Sequence, residues 1–294
     1  MKKLEKNENV KLQADSFESK SLSLSFSSSK TFMLCDKSYI EPFFVGLFEG
    51  DGCINISRTK NGNLSYGRLL INLKYLPENV KMLQLIASEI GGFINIKKKN
   101  GMLYQIFWIA IAQKDVARCL KIFEKYPLLT SRKICQLAHL KKCLQNRSWS
   151  FHLETRDFKY AQQKEIIASY KKDFVIPSYF GPWLSGFAEA EGSFRSTYAL
   201  SFYICQNDDW YILNAIKLYF DSHHKLGINK DLRRPWLDSI QYRVSMTGNP
   251  MLEKIIEHFT TFPLLGYKQV SFQVFCEKFY QKQQTAKCHA VISL

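Results

Sequence analysis

The feature that most constrains this chain is a repeat within it. Residues 42 to 52 read PFFVGLFEGDG and residues 182 to 192 read PWLSGFAEAEG. At a constant offset of 140, Pro42 pairs with Pro182, Gly46 with Gly186, Glu49 with Glu189, Asp51 with Glu191 and Gly52 with Gly192. A second pair, Tyr126-Pro127-Leu128-Leu129 and Phe262-Pro263-Leu264-Leu265, recurs at an offset of 136. Self-similarity at this scale marks a duplicated structural unit, so the chain is expected to fold as two like halves and not as one long domain.

Each half carries the same succession of hydrophobic patterns. After the motif comes an alternating stretch at 53 to 60 and 193 to 198, a strand pattern at 67 to 75 and 199 to 206, and a helical pattern at 79 to 90 and 209 to 220. Strands at 93 to 98 and 103 to 112 are matched by 225 to 233 and 239 to 246, and helices follow at 114 to 125 and 249 to 260. The PLL segments open last helices at 131 to 146 and 267 to 282. Period-two and period-3.6 hydrophobicity distinguish these elements. The fold expected is α+β, two pseudo-symmetric αββαββα repeats with antiparallel sheets. The chain then divides into a basic, serine-rich tail over 1 to 39, a first repeat over 40 to 150, a linker over 151 to 177 and a second repeat over 178 to 294. The tail lacks sustained apolar periodicity and is expected to be mobile.

The motif itself has a physical reading. Pro42 and Pro182 suit the first turn of a helix, and Gly52 and Gly192 suit its left-handed stop. Gly46 with Gly50, and Gly186 with Ala190, put small residues on one helix face, which lets two backbones approach closely. The natural partner of each motif helix is the other, as a pseudo-twofold pair at the centre. Asp51 and Glu191 then fall in the last turn, against the negative end of the helix dipole, at a cost of roughly 0.3 to 1 kcal/mol for an exposed carboxylate. Two acids emerging side by side repel each other, and hard divalent cations bound by their oxygens would offset that repulsion. Glu49 and Glu189 are expected to have a surface or sheet-facing role outside the catalytic set.

Charge names the partner class. The chain has 41 Lys and Arg against 26 Asp and Glu, a net charge of +15 and a pI near 9.4, which points to a polyanion. In 239 to 246 the polar Ser239, Gln241, Arg243 and Ser245 alternate with Ile240, Tyr242, Val244 and Met246, so one face is core and the other polar. Arg68, Asn72 and Lys74, interrupted only by Leu70, lie opposite Leu69, Ile71, Leu73 and Tyr75 in the same way. Further basic and amide residues are Asn55, Arg58, Asn95, Lys97, Lys99, Gln105, Arg195, Asn229, Lys230, Arg233 and Arg234. Arg and Lys read guanine edges, Asn and Gln read adenine, and an antiparallel ribbon can enter the major groove. No run of 18 apolar residues exists, so no membrane span is expected. The eight cysteines include no CxxC pair and read as reduced thiols. The six histidines form no recognisable metal box, so a structural zinc site is not expected.

With these residues in hand, the chain resembles the LAGLIDADG homing endonucleases in their single-chain, two-motif form. The likeness rests on Phe44-Val45-Gly46-Leu47-Phe48-Glu49-Gly50-Asp51-Gly52 and Leu184-Ser185-Gly186-Phe187-Ala188-Glu189-Ala190-Glu191-Gly192, and extends over approximately residues 40 to 285. The resemblance implies a saddle of two four-stranded sheets on the major groove, with the motif helices at the junction. It implies metal binding by Asp51 and Glu191, with Gly50 and Ala190 beside them in the metal set. It implies basic residues near the metals after the PL-rich turn: Lys268 in the second copy, and Arg132 or Lys133 in the first. A polar residue near the end of the second strand helps to orient the attacking water in relatives. Gln206 fits that role, and Lys74 is the closest candidate in the other half. The implied activity is Mg²⁺-dependent hydrolysis of double-stranded DNA at a long asymmetric target, with Mn²⁺ as a substitute and Ca²⁺ binding without turnover. A monomer is expected, in an organelle or a microbial cytoplasm, with host intron RNA as a further partner. The alternatives are an intron RNA maturase of the same fold and a non-catalytic DNA-binding protein. Retention of both acids argues against the latter.

Overall fold

The computed structural model describes residues 36–59, 64–197, 199–229 and 240–292; the expectations for most of the N-terminal tail and for Lys230, Arg233 and Arg234 lie outside them. The first half runs α1 (Lys37–Asp51), β1 (Gly52–Asn55), β2 (Arg68–Lys74), α2 (Pro77–Ile90), β3 (Phe93–Lys99), β4 (Met102–Ala110), α3 (Gln113–Lys125) and α4 (Ser131–Asn146). Two helices, α5 (Trp149–Thr155) and α6 (Gln163–Asp173), lead into the second half. There the order repeats as α7 (Phe180–Glu191), β5 (Gly192–Arg195), β6 (Ser201–Asn207), α8 (Trp210–Tyr219), β7 (Gly227–Asn229), β8 (Gln241–Met246), α9 (Asn249–Thr261) and α10 (Lys268–Ile292). The sheets are ordered β1-β2-β4-β3 and β5-β6-β8-β7, with every neighbouring pair antiparallel. This is the α+β fold expected, two four-stranded sheets with their helices.

The helix α1 is apolar almost all round, and a helix of that kind has to be buried. Its residues from Tyr39 to Glu49 are buried apart from Glu41. Asp36 starts it, accepting the Ser38 N–H at 2.9 Å, so the helix begins five residues before Pro42. The first-turn reading of Pro42 is therefore corrected: a good N-cap upstream extends the helix past a residue that cannot donate to it. Pro182 does lie in the first turn of α7.

The two motif helices lie backbone to backbone. A Cβ added to Gly46 would stand 1.9 Å from the Trp183 carbonyl oxygen, and one added to Gly186 would stand 1.9 Å from that of Phe43. The reciprocity of those distances is the pseudo-twofold axis. The glycines that end the helices act differently from the expectation. Gly52 and Gly192 are extended, with φ of −75° and −78°, and not left-handed. Their need for glycine is room, since a Cβ would meet Phe48 O at 2.2 Å or Ala188 O at 2.7 Å as the chain passes directly from helix to strand.

Both halves share one core. Phe43, Phe44, Phe48 and Trp108 from the first join Trp183, Phe187, Phe202 and Phe259 from the second in a continuous buried cluster. The segment between the halves is held on both sides. Gln136 of α4 donates to the Tyr160 hydroxyl at 2.7 Å, while Tyr170 and Phe174 place their rings 4.8 and 5.4 Å from that of Tyr211 in α8. Among the described residues, no helix is long and apolar enough to cross a membrane.

Candidate active site

Helices that touch through glycine must deliver their C-terminal side chains to nearly the same place. A Cβ on Gly50 would lie 2.3 Å from the Ala190 Cβ and 3.5 Å from a Glu191 carboxylate oxygen. Asp51 and Glu191 thus stand at adjacent helix ends. Burial is the largest influence on each and raises the pKa of both; for Glu191 the neighbouring Asp51 charge raises it further, while Lys268 and Lys133 oppose the rise. Solvent nonetheless reaches Asp51, and Glu191 is half-buried. The desolvation comes from the protein packed against the two helix ends.

The two lysines occupy equivalent places. Lys133, near the start of α4, donates to the Gly52 carbonyl, and Lys268, at the start of α10, donates to that of Gly192. Each is thereby tied to the residue that follows an acid. Burial lowers the pKa of Lys133, with Cys53 and Glu49 acting in the other direction.

What aims these lysines is a pair of buried glutamates. Glu49 accepts the Leu129 and Thr130 N–H groups at 2.6 and 2.7 Å, the Thr130 hydroxyl at 3.0 Å and the Trp183 indole N–H at 2.6 Å. Glu189 accepts the N–H groups of Gly266 and Lys268 at 3.2 and 2.9 Å. A carboxylate at a helix start satisfies donors that have no partner in the helix and interacts favourably with the dipole. Burial pushes each glutamate up to about 7 against those bonds. Each motif helix therefore carries an acid that solvent reaches at its end and, two residues before it, one that braces the helix bearing the lysine.

The polar residues gather on the sheet faces that turn away from the helices. Cross-strand register aligns Asn55 with Arg68, Asn72 and Asn95 with Phe107, and Lys74 and Lys97 with Gln105. Leu69 and Ile71, which alternate with them, are buried on the helix side. In the second sheet Arg195 aligns with Ser201, Arg243 with Cys205 and Gly227, and Gln241 with Asn207 and Asn229. The Arg195 guanidinium lies 3.8 Å from the Tyr203 ring centroid, and the Lys97 ammonium 4.8 Å from that of Phe107. Lys99 follows a bulge and lies over Tyr104, and Arg58 bridges to Leu64 and lies over Trp149.

A family model described as LAGLIDADG endonuclease matches residues 44–143 and again 184–279. The chain belongs to the LAGLIDADG family. A probable intron-encoded endonuclease aI3 of Dictyostelium citrinum is 38% identical over 245 residues, covering 82% of this chain and 95% of that protein. A protein of the same name from Debaryomyces hansenii is 33% identical over 270 residues, covering 81% of this chain but only 38% of its own length. Among solved structures, I-SmaMI bound to an uncleaved DNA target in the presence of calcium ions is similar with a TM-score of 0.61 at 20% identity, over 84% of this chain and 92% of that one. The LAGLIDADG meganuclease I-AabMI bound to uncleaved DNA gives 0.60 at 23% identity, over 83% and 92%.

Within this LAGLIDADG family the geometry separates one open pair and alters the expectations for Gln206, Lys74, Glu49 and Glu189. Of the basic pair, Lys133 comes to the acids, whereas the Arg132 guanidinium lies 5.1 Å from the Tyr160 ring centroid. Gln206 is on the helix side of its sheet, in phase with buried Phe202 and Ile204, and its amide turns to Asp209. Its counterpart is not Lys74. Gly52 aligns with Ile71 and Gly192 with Ile204, so Leu73 occupies the equivalent place. Glu49 and Glu189, expected at a surface or a sheet, are 4% and 6% exposed. Their signal was present in the sequence, as an identical acid at one motif position in both copies alongside a repeated PLL turn, but it needed both ends of the contact to be seen together.

Proposed function

We propose that this chain is a DNA endonuclease that cuts both strands of a duplex at a long asymmetric site, using divalent cations held by Asp51 and Glu191. One observation carries the reading: two acids at touching helix ends, with Lys133 and Lys268 held beside them. An all-oxygen donor set fits a hard ion, and Mg²⁺ is characteristically held by one or two carboxylates together with substrate phosphates. Mn²⁺ is expected to substitute and Ca²⁺ to bind without turnover. Bound there, the ion supplies Lewis-acid polarisation of a phosphate and a more acidic water.

The side chains do the rest. Asp51 and Glu191 fix the cation position from rigid, mutually packed helices, one for each strand. Lys133 and Lys268 would offset the charge that grows on phosphorus as water attacks, and Lys133, its pKa lowered by burial, is suited to give a proton to the leaving 3′ oxygen. Asn72, Lys74, Lys97 and Gln105 on one sheet, and Arg195, Gln241 and Arg243 on the other, supply groove contacts. Lys230, Arg233 and Arg234 are proposed to extend the second set. The relatives named as intron-encoded support an intron as the source of the reading frame, and an organelle is the compartment we propose. We take 40 to 150 and 178 to 294 as the two repeats, acting as a monomer.

Purified protein with Mg²⁺ should linearise a plasmid carrying the intron-less junction of its host gene, should not cut it in EDTA, and should bind less tightly as salt rises. Tight binding of that junction with no Mg²⁺-dependent cutting would leave a DNA-binding protein and remove the nuclease.

A further inference from the structure

A second group of metal-ligating side chains lies away from the acids, where α4 meets α5. His139 and Cys143 are one turn apart on α4, and His152 arrives from α5 to complete a triangle. The His139 Nε2 and His152 Nδ1 atoms are 3.1 Å apart, and the Cys143 sulfur lies 3.6 Å from the first and 3.9 Å from the second. Zinc binds imidazole nitrogen at about 2.05 Å and thiolate sulfur at about 2.3 Å, so tetrahedral ligands should stand about 3.3 Å apart for two nitrogens and about 3.5 Å for nitrogen and sulfur. The triangle falls within a few tenths of an ångström of that figure with no side chain moved. Cys143 is fully buried, His139 is nearly so, and His152 is half-buried at the open side.

From this geometry we propose that His139, Cys143 and His152 hold a zinc ion. The histidine and thiolate donors suit a borderline-soft cation, in contrast to the all-oxygen pair at Asp51 and Glu191. A fourth position has room for water: a cavity of about 300 Å³ whose lining includes His139, His152, Arg156, Asp157 and Lys159 opens beside the cluster, and Asp157 there pairs with Arg156 at 3.7 Å. Lys142, Arg156 and Lys159 approach the histidines and disfavour added positive charge, which the Cys143 thiolate partly cancels on binding. The consequence is mechanical. Zinc would fasten α4, which carries Lys133, to the first helix of the segment joining the halves. H-x3-C with a histidine nine residues further on is not a familiar box, and it is a helix and a turn that bring the three together.

The test uses the full chain and the metals alone. After exposure to Zn²⁺ and desalting, elemental analysis should find roughly one zinc per chain, falling to near none in Cys143→Ser and His152→Ala. Co²⁺ in its place should give a thiolate-to-cobalt charge-transfer band that Cys143→Ser abolishes and Cys135→Ser, on the same helix but outside the triangle, retains. Zn²⁺ at about a hundred times its dissociation constant should raise the Tm of the wild type by several degrees and leave that of His152→Ala unchanged. If Cys143→Ser does not fold, His152→Ala carries the comparison, because that side chain is half-exposed. Absence of the cobalt band in the wild type, or equal zinc in wild type and His152→Ala, overturns the proposal and leaves a hydrogen-bonded histidine pair over a buried thiol.

Discussion

In the first half Lys133 reaches the Gly52 carbonyl and Glu49 braces the turn before it; in the second, Lys268 reaches Gly192 and Glu189 braces the matching turn. The sheets beside these motifs do not match in this way. The strands β3 and β4 are seven and nine residues long, and β3 ends in Lys97, Lys98 and Lys99, whereas β7 and β8 span three and six among the described residues. Where the first sheet presents Asn72 and Lys74, register puts Cys205 and Asn207 in the second. A duplex offers two scissile phosphates related by an approximate dyad, so the groups that act on them must come in like pairs. Its base sequence is under no such demand. On the proposed function, a duplicated chain can therefore hold its chemistry fixed in both copies while its reading surfaces diverge, and the target it would read is asymmetric.

The sharpest way to break the equivalence is at the acids. Asp51→Asn and Glu191→Gln should each reduce cutting on the order of a thousandfold while leaving binding of the duplex within a few-fold; full activity in either would dissolve the pair. Lys133→Met and Lys268→Met should follow at about a hundredfold, with Arg132→Met costing only a few-fold, as read from single-turnover cleavage rates. The reverse ranking of Arg132 and Lys133 would mean that the α4 geometry does not persist on DNA. Gly46→Ala and Gly186→Ala press a methyl into the facing backbone equally from either side. Each should lose about 3 kcal/mol in urea unfolding, and a large difference between them would contradict the reciprocal contact.

Smaller effects should separate the halves. Glu49→Gln turns an amide donor onto the Trp183 N–H and should cost about 2 kcal/mol, against about 1 kcal/mol for Glu189→Gln, where the poorer acceptor site faces a longer bond. The smallest effect is one of pH. The folded pKa values of Asp51 and Glu191 lie above their ordinary 3.8 and 4.5, so their contribution to stability is fully present below those values and is lost as pH rises through the raised ones. Mg²⁺ binds the ionised pair. The Mg²⁺-induced rise in Tm should therefore grow with pH over that window in the wild type and stay flat in Asp51→Asn with Glu191→Gln.

Much of this was legible in the sequence for reasons that remain local. The repeated glycines implied a close helix pair, strand alternation implied two-faced sheets, and an acid at the end of each motif helix implied a shared charge problem. What escaped depended on distance or register. Glu49 meets partners 80 and 81 residues away, which no local pattern announces. Choosing between Arg132 and Lys133 requires the rotation of α4, because neighbours on a helix point about 100° apart. Gln206 has Leu73 and not Lys74 as its counterpart, because the register that aligns Gly52 with Ile71 and Gly192 with Ile204 is not visible in either strand alone. Pro42 was placed in a first turn because the cap at Asp36 lay upstream of the repeat.

The most direct measurement is anomalous diffraction from Mn²⁺ in crystals of the protein on its cleavage-site duplex. The expected result is manganese held by the carboxylates of both Asp51 and Glu191, within reach of a phosphate from each strand. Manganese found only elsewhere, with both of those acids unliganded, would contradict it.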